Sequence, residues 1–193
     1  MDYKFLLKRL PYIIFHPVKA WETIYSETRT VKDTRNSFLF PLIILVALAA
    51  FLGSLLFTNS QLSFVYSIFV AIKFIILLLV VVYASAVTHK EITYPLDLGR
   101  NFNVSFKIIV YSLTPLFLCL VVSSLFESLV FIDILALYGL YIFWAGCEKM
   151  LNPPEPKKMP MLSATFVAVT GFYLAAAWIL SQLIDRIYYS VFA

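Results

Sequence analysis

Five long apolar runs shape the chain, at residues 38–57, 64–87, 108–126, 129–146 and 161–183. A helix that crosses a bilayer needs about 20 mostly apolar residues, rising 1.5 Å each. The pattern therefore predicts an all-α, polytopic membrane protein. A five-helix transmembrane domain (38–193) follows a cytoplasmic amphipathic segment (1–37). The connection at 58–63 and the one around Glu127 are very short. Spans one and two should form one tight helical hairpin, spans three and four another, and the fifth should close the bundle.

Residues 3–28 are amphipathic rather than spanning. Phe5, Leu6, Leu10, Ile13, Ile14 and Phe15 alternate with Lys4, Lys8 and Arg9. Pro17 suits the first position of a helix, where its missing N–H costs nothing. Val18, Trp21 and Tyr25 then recur at helical spacing as one apolar stripe. Trp and Tyr favour the headgroup region, so the expectation is a helix lying flat on the inner leaflet, anchored by Pro17 and Trp21. It serves as an anchor that organises the first span, or as a docking surface for a partner. His16, with no second histidine near it, reads as a cap or interfacial residue. Pro11 and Pro17 interrupt this region, which lacks the apolar core and cleavage site of a secretory signal, so the first span is expected to be retained.

The basic residues set the orientation. Seven lie before the first span, three in 88–107 (Lys90, Arg100, Lys107) and three in 147–160 (Lys149, Lys157, Lys158), against only Arg186 on the opposite side. By the positive-inside rule the N-terminus is cytoplasmic and the C-terminus outside. Losing or merging a span would put a basic loop on the wrong face.

Composition agrees. The chain has 193 residues, 62% hydrophobic and 13% charged, with a mean hydropathy of +0.89. Soluble domains run nearer 45–50% apolar and about 25% charged. That excludes an ordinary soluble domain, a disordered chain and a nucleic-acid module. The net charge of +4 fits basic loops facing anionic headgroups. Cys119 and Cys147 fall in or beside apolar runs and read as packing residues.

Lys73 alone interrupts the second run, near mid-membrane. An intramembrane charge should face protein or water and have a partner. Asp133 on the fourth span is the expected partner, with Glu127 at the outer interface as its rival. Tyr111, Ser112, Thr114 and Pro115 fall near the same depth on the third span. Pro115 leaves the carbonyl of Tyr111 without its helical donor, which invites a kink and a hydroxyl or water. Lys73, Asp133, Thr114 and Tyr111 thus form a candidate polar cluster, either an ion or proton path or a structural pair fixing helix register. Ala49 and Gly53, and Ala164, Ala168, Gly171 and Ala175, mark close helix approaches within the bundle, or a dimer interface. There is no phosphate loop, no HExxH pair and no Cys/His cluster of metal spacing. His89 is expected to be solvated in a cytoplasmic loop. Neither an enzyme nor a cofactor or metal is expected.

Two stretches carry a family resemblance. One is Tyr111-Ser112-Leu113-Thr114-Pro115 and the other is 137–146, with Tyr138, Tyr141 and Gly146, followed by a Pro- and Lys-containing loop. With the Pro-x-x-x-Trp segment at 17–21, they resemble the Yip family (Ypt/Rab-interacting membrane proteins), particularly its short prokaryotic branch. The resemblance implies five spans with the N-terminus in and the C-terminus out. In eukaryotic relatives it implies Rab-type GTPase binding, which is not carried over to a chain with so short a cytoplasmic segment. The expected role is a non-enzymatic protein of a prokaryotic cytoplasmic membrane that organises the bilayer or scaffolds partners. The alternatives are a small transporter or channel around Lys73 and Asp133, and an accessory subunit of a larger complex. The bilayer is the expected partner, with other membrane proteins or a second copy as further candidates and no nucleic acid.

Overall fold

The computed structural model describes residues 3–57 and 63–192. In order these form α1 (Tyr3–Phe15), α2 (Pro17–Ser26), α3 (Val31–Thr34), a π-turn (Arg35–Leu39) and α4 (Phe40–Phe57). Then follow α5 (Ser63–Thr93), α6 (Phe102–Ser112), α7 (Thr114–Leu125), a 3-10 segment (Glu127–Leu137), α8 (Tyr138–Leu151) and α9 (Glu155–Phe192). No strand occurs among the described residues. Among the described residues four helical stretches are long and apolar enough to cross a membrane, and a fifth if the bent pair α6–α7 counts as one.

The ends are set by local chemistry. Thr30 and Asp33 make a reciprocal capping box, Thr30 N–H donating to Asp33 Oδ2 at 3.0 Å and Asp33 N–H to Thr30 Oγ1 at 3.3 Å. It starts the first helical stretch seven residues before the apolar run does. Asn101 caps α6 by accepting from the N–H groups of Asn103 and Val104. Asn152 ends α8 in the left-handed region, with Pro153 and Pro154 behind it.

The expected third span, 108–126, is broken. The chain bends by about 40° between α6 and α7, where Leu113 leaves helical geometry (φ −80°, ψ 1°) two residues before Pro115. The N-terminal half of the expected fourth span is 3-10 rather than α. A 3-10 turn rises about 2.0 Å per residue, so this short segment covers the length of α7 beside it. Helix α4 is central, packed on α5 and α7, and α9 lies at the rim against α5.

The N-terminal segment departs most from expectation. Trp21 is 1% exposed, and its Nε1–H donates to Ile142 O on α8 at 2.9 Å. The buried stripe of α2 is Pro17, Ala20, Trp21 and Ile24, with Val18 and Tyr25 on the outside. Arg9 pairs with Glu27, and the Arg29 guanidinium sits 3.7 Å from the Phe5 ring centroid. Helices α1 and α2 are therefore an antiparallel hairpin with His16 at its tip. Along α8, Ile14 meets Tyr138, Trp21 meets Ile142 and Glu22 meets Lys149. The hairpin stands beside α8, and Trp21 is a core residue rather than a free headgroup anchor.

Candidate functional site

The sequence motifs converge where α2, α6 and α8 meet. Tyr111, 1% exposed, is the hub. Its ring lies 4.7 Å from that of Phe38 and 5.8 Å, edge-on, from that of Trp21. Such aromatic pairs add about 0.5–1.5 kcal/mol each beyond area burial. Pro115 withholds the N–H that the Tyr111 carbonyl would receive, and Thr114 Oγ1 donates to that carbonyl instead at 2.8 Å. The hydroxyl anticipated at the kink is thus supplied by the next residue but two.

The second motif packs on the other two through its glycines. A Cβ on Gly139 would lie 2.5 Å from Ser112 O, and one on Gly146 would lie 2.5 Å from Trp21 Cζ2. Only a residue without a side chain lets α8 approach α6 and the indole this closely. Tyr138 donates through its hydroxyl to Ile14 O at 2.9 Å. Tyr141 is half exposed, with its ring 5.7 Å from that of Tyr138. Pro17, Trp21, Tyr111, Pro115, Tyr138 and Gly146 together make a joint that clamps the N-terminal hairpin to the kinked third span.

The candidate polar cluster is not assembled. Tyr111 and Thr114 touch, but Lys73 and Asp133 form no ion pair. The acid within electrostatic reach of Lys73 is Asp185 on α9, and the Lys73 ammonium lies 5.5 Å from the Phe74 ring centroid. Asp133 lies instead within electrostatic reach of Cys119 and Tyr173, with Oδ1 buried and unbonded. Equal depth was the only link between the two, and depth says nothing about which way each helix face turns. Helix α5 packs on α4, α6 and α9, so the neighbour of Lys73 comes from α9, two residues past the fifth run. The Glu127 side chain and residues 58–62 lie outside the described ones.

Two polar groups were missed. His89 is fully buried rather than solvated. Its Nδ1 is 3.0 Å from Ser105 Oγ and its Nε2 is 3.9 Å from Cys147 Sγ. Continuing the helical period Leu78, Val82, Ser85 to His89 and Thr93 would have found it, since all five are buried. At the open end of the hairpin, Arg9, Arg29 and Lys107 gather around Glu27. Lys107 Nζ donates to Glu27 O at 3.2 Å, and Arg29 Nε lies 3.4 Å from Glu27 Oε2. Nothing in the order of residues brings these four together. Of the small-residue stripes, Gly53 packs against the Ser124 backbone, whereas nothing lies within 4 Å of a Cβ on Gly171. The fifth-run stripe does not pack inside the bundle. Among the described residues no three His, Cys, Asp or Glu side chains gather to hold a metal.

No curated protein and no solved structure matches the chain. A family model described as Yip1 domain matches residues 12–179. The match begins within α1 and ends within α9, so it takes in α2 and the whole joint along with the apolar helices. The chain belongs to the Yip family of integral membrane proteins.

Proposed function

We propose that this Yip-family protein is a non-enzymatic organiser of a prokaryotic cytoplasmic membrane that favours a curved bilayer through its one-sided hairpin. The observation carrying this reading is the α1–α2 pair clamped along α8 from Tyr138 to Lys149. If the N-terminus is inside, seven helical segments among the described residues share the cytoplasmic level (α1, α2, the α3–α4 helix, α5, α6, α8 and α9). Five share the outer level (α4, α5, α7, the 3-10 segment and α9). The cytoplasmic half is the broader.

The hairpin surface suits lipid contact. Phe15 and Val18 are exposed at the tip and Leu7 along α1, interleaved with exposed Lys4 and Lys8 on α1 and Lys19 on α2. Exposed apolar residues flanked by lysines match the boundary between acyl chains and anionic headgroups. A path through Lys73 and Asp133 finds no comparable support, because the two have different neighbours.

The test is sorting between small and large extruded vesicles after reconstitution with the cytoplasmic face outward. The expected result is a higher protein density per lipid on the small vesicles, reduced by the double substitution Leu7→Gln and Phe15→Gln. Equal density on both sizes overturns the reading. Crosslinking to one stoichiometric protein partner in native membranes, with equal density, favours partner scaffolding instead.

A further inference from the structure

Two neighbouring segments change geometry at one level while a third passes them unbroken. Helix α6 gives way to α7 at Leu113, and the 3-10 segment gives way to α8 at Tyr138. Gly139 against Ser112 O places the two breaks side by side. Helix α9 continues past both and packs chiefly on α5. The mismatch leaves a cavity of about 260 Å³ between α6, α7, α8 and α9.

Leu116, Leu140, Phe143 and Val169 supply its apolar walls, and no charged residue lines it. Its polar members are Ser112, Thr165, Thr170 and Tyr173, and the first two are buried without a partner. They line the cavity from opposite helices and are 6% and 2% exposed, and neither hydroxyl oxygen has a hydrogen-bond partner. A helical Ser or Thr can satisfy itself on the preceding turn, and these two do not. Residues 102–112 and 155–165 each advance about 15 Å from their helix starts, so both hydroxyls stand at a similar depth. No water is at hand inside a bilayer to satisfy them.

We propose that this cavity binds a neutral, single-chain lipid bearing a hydroxyl or carbonyl group. The walls take the hydrocarbon, and Ser112 and Thr165 bond the polar group. Charge is excluded, because nothing in the lining compensates it at that depth. The volume falls just below the range of about 300–1,000 Å³ for pockets that hold drug-sized ligands, which suits one chain rather than two. The site does not depend on the curvature reading.

The test uses a diazirine-bearing long-chain alcohol with the full chain in liposomes, and adducts mapped by peptide mass spectrometry. Adducts are expected on the cavity-lining residues of α6, α8 and α9, competed by excess unlabelled alcohol. Val169→Trp should abolish them, and Val167→Trp, on the exposed side of α9, should leave them. Thr165→Val with Ser112→Ala should weaken competition about tenfold. Adducts spread evenly over the outward face of α9, or indifferent to Val169→Trp, overturn the site. Unaltered competition in the double variant, which keeps the volume nearly unchanged, overturns the role of the hydroxyls.

Discussion

Single residues in the joint divide between those readable from the chain and those that only tertiary contact explains. Pro115 and the hydroxyl on the Tyr111 carbonyl were readable, because donor and acceptor lie three residues apart on one helix. Gly146 was not, since its partner Trp21 is far away in sequence. The contrast between two glycines is measurable. Gly146→Ala pushes a methyl into a rigid indole and should destabilise by about 1–3 kcal/mol, the usual cost of overpacking. Gly171→Ala meets open space and replaces the poorest ordinary helix former by the best, so it should be neutral or stabilising by up to about 1 kcal/mol. Thermal unfolding in detergent, followed by circular dichroism, checks both. Equal losses at the two positions would mean that Gly146 is not set by contact with Trp21.

The apolar helices were legible in outline where hydrophobic runs defined them, but not the break at Leu113 in the third run or the 3-10 half of the fourth. The pattern was misread where an amphipathic stripe had two candidate surfaces. The pattern at 17–25 fits a membrane surface through Val18 and Tyr25 and fits a protein surface through Pro17, Ala20, Trp21 and Ile24. Periodicity alone does not choose between them, and the groove at Gly146 on α8 does. The hairpin is held at its open end by Glu27 amid three cations. Breaking a buried ion pair costs about 3–5 kcal/mol, and partial exposure of Glu27 reduces that to about 1–3 kcal/mol. Glu27→Gln should therefore raise amide exchange in α1 and α2 by about ten- to a hundredfold while leaving α4 unchanged. Hydrogen exchange in detergent micelles reads this directly. Uniform exchange changes across the chain would show global destabilisation rather than release of the hairpin.

At the scale of the molecule, the charge asymmetry read from the loops gains a structural counterpart. The hairpin's charged groups meet α8 through Glu22 and Lys149 and α6 through Glu27 and Lys107. At those same helix ends Lys90, Arg100, Lys157 and Lys158 pair with nearby acids. Basic residues and extra helices thus share one face, and whichever compartment holds the N-terminus also receives the broad end. Helix α9 runs from Glu155 on that face to Phe192 on the other, so a reporter after Ala193 tests the orientation. A C-terminal alkaline phosphatase fusion, active only outside the cytoplasm, should be active. A C-terminal fluorescent protein that matures only inside should be dark. The paired fusions after Glu27, before the first apolar run, should give the opposite pattern. If the C-terminal fluorescent fusion is bright, the broad end faces outward and the sign of the preferred curvature reverses. The same vesicle preparation, with the opposite face outward, should then show enrichment on small vesicles. The topology experiment therefore fixes the direction in which the one-sided hairpin bends a membrane, and the sorting experiment fixes whether it does.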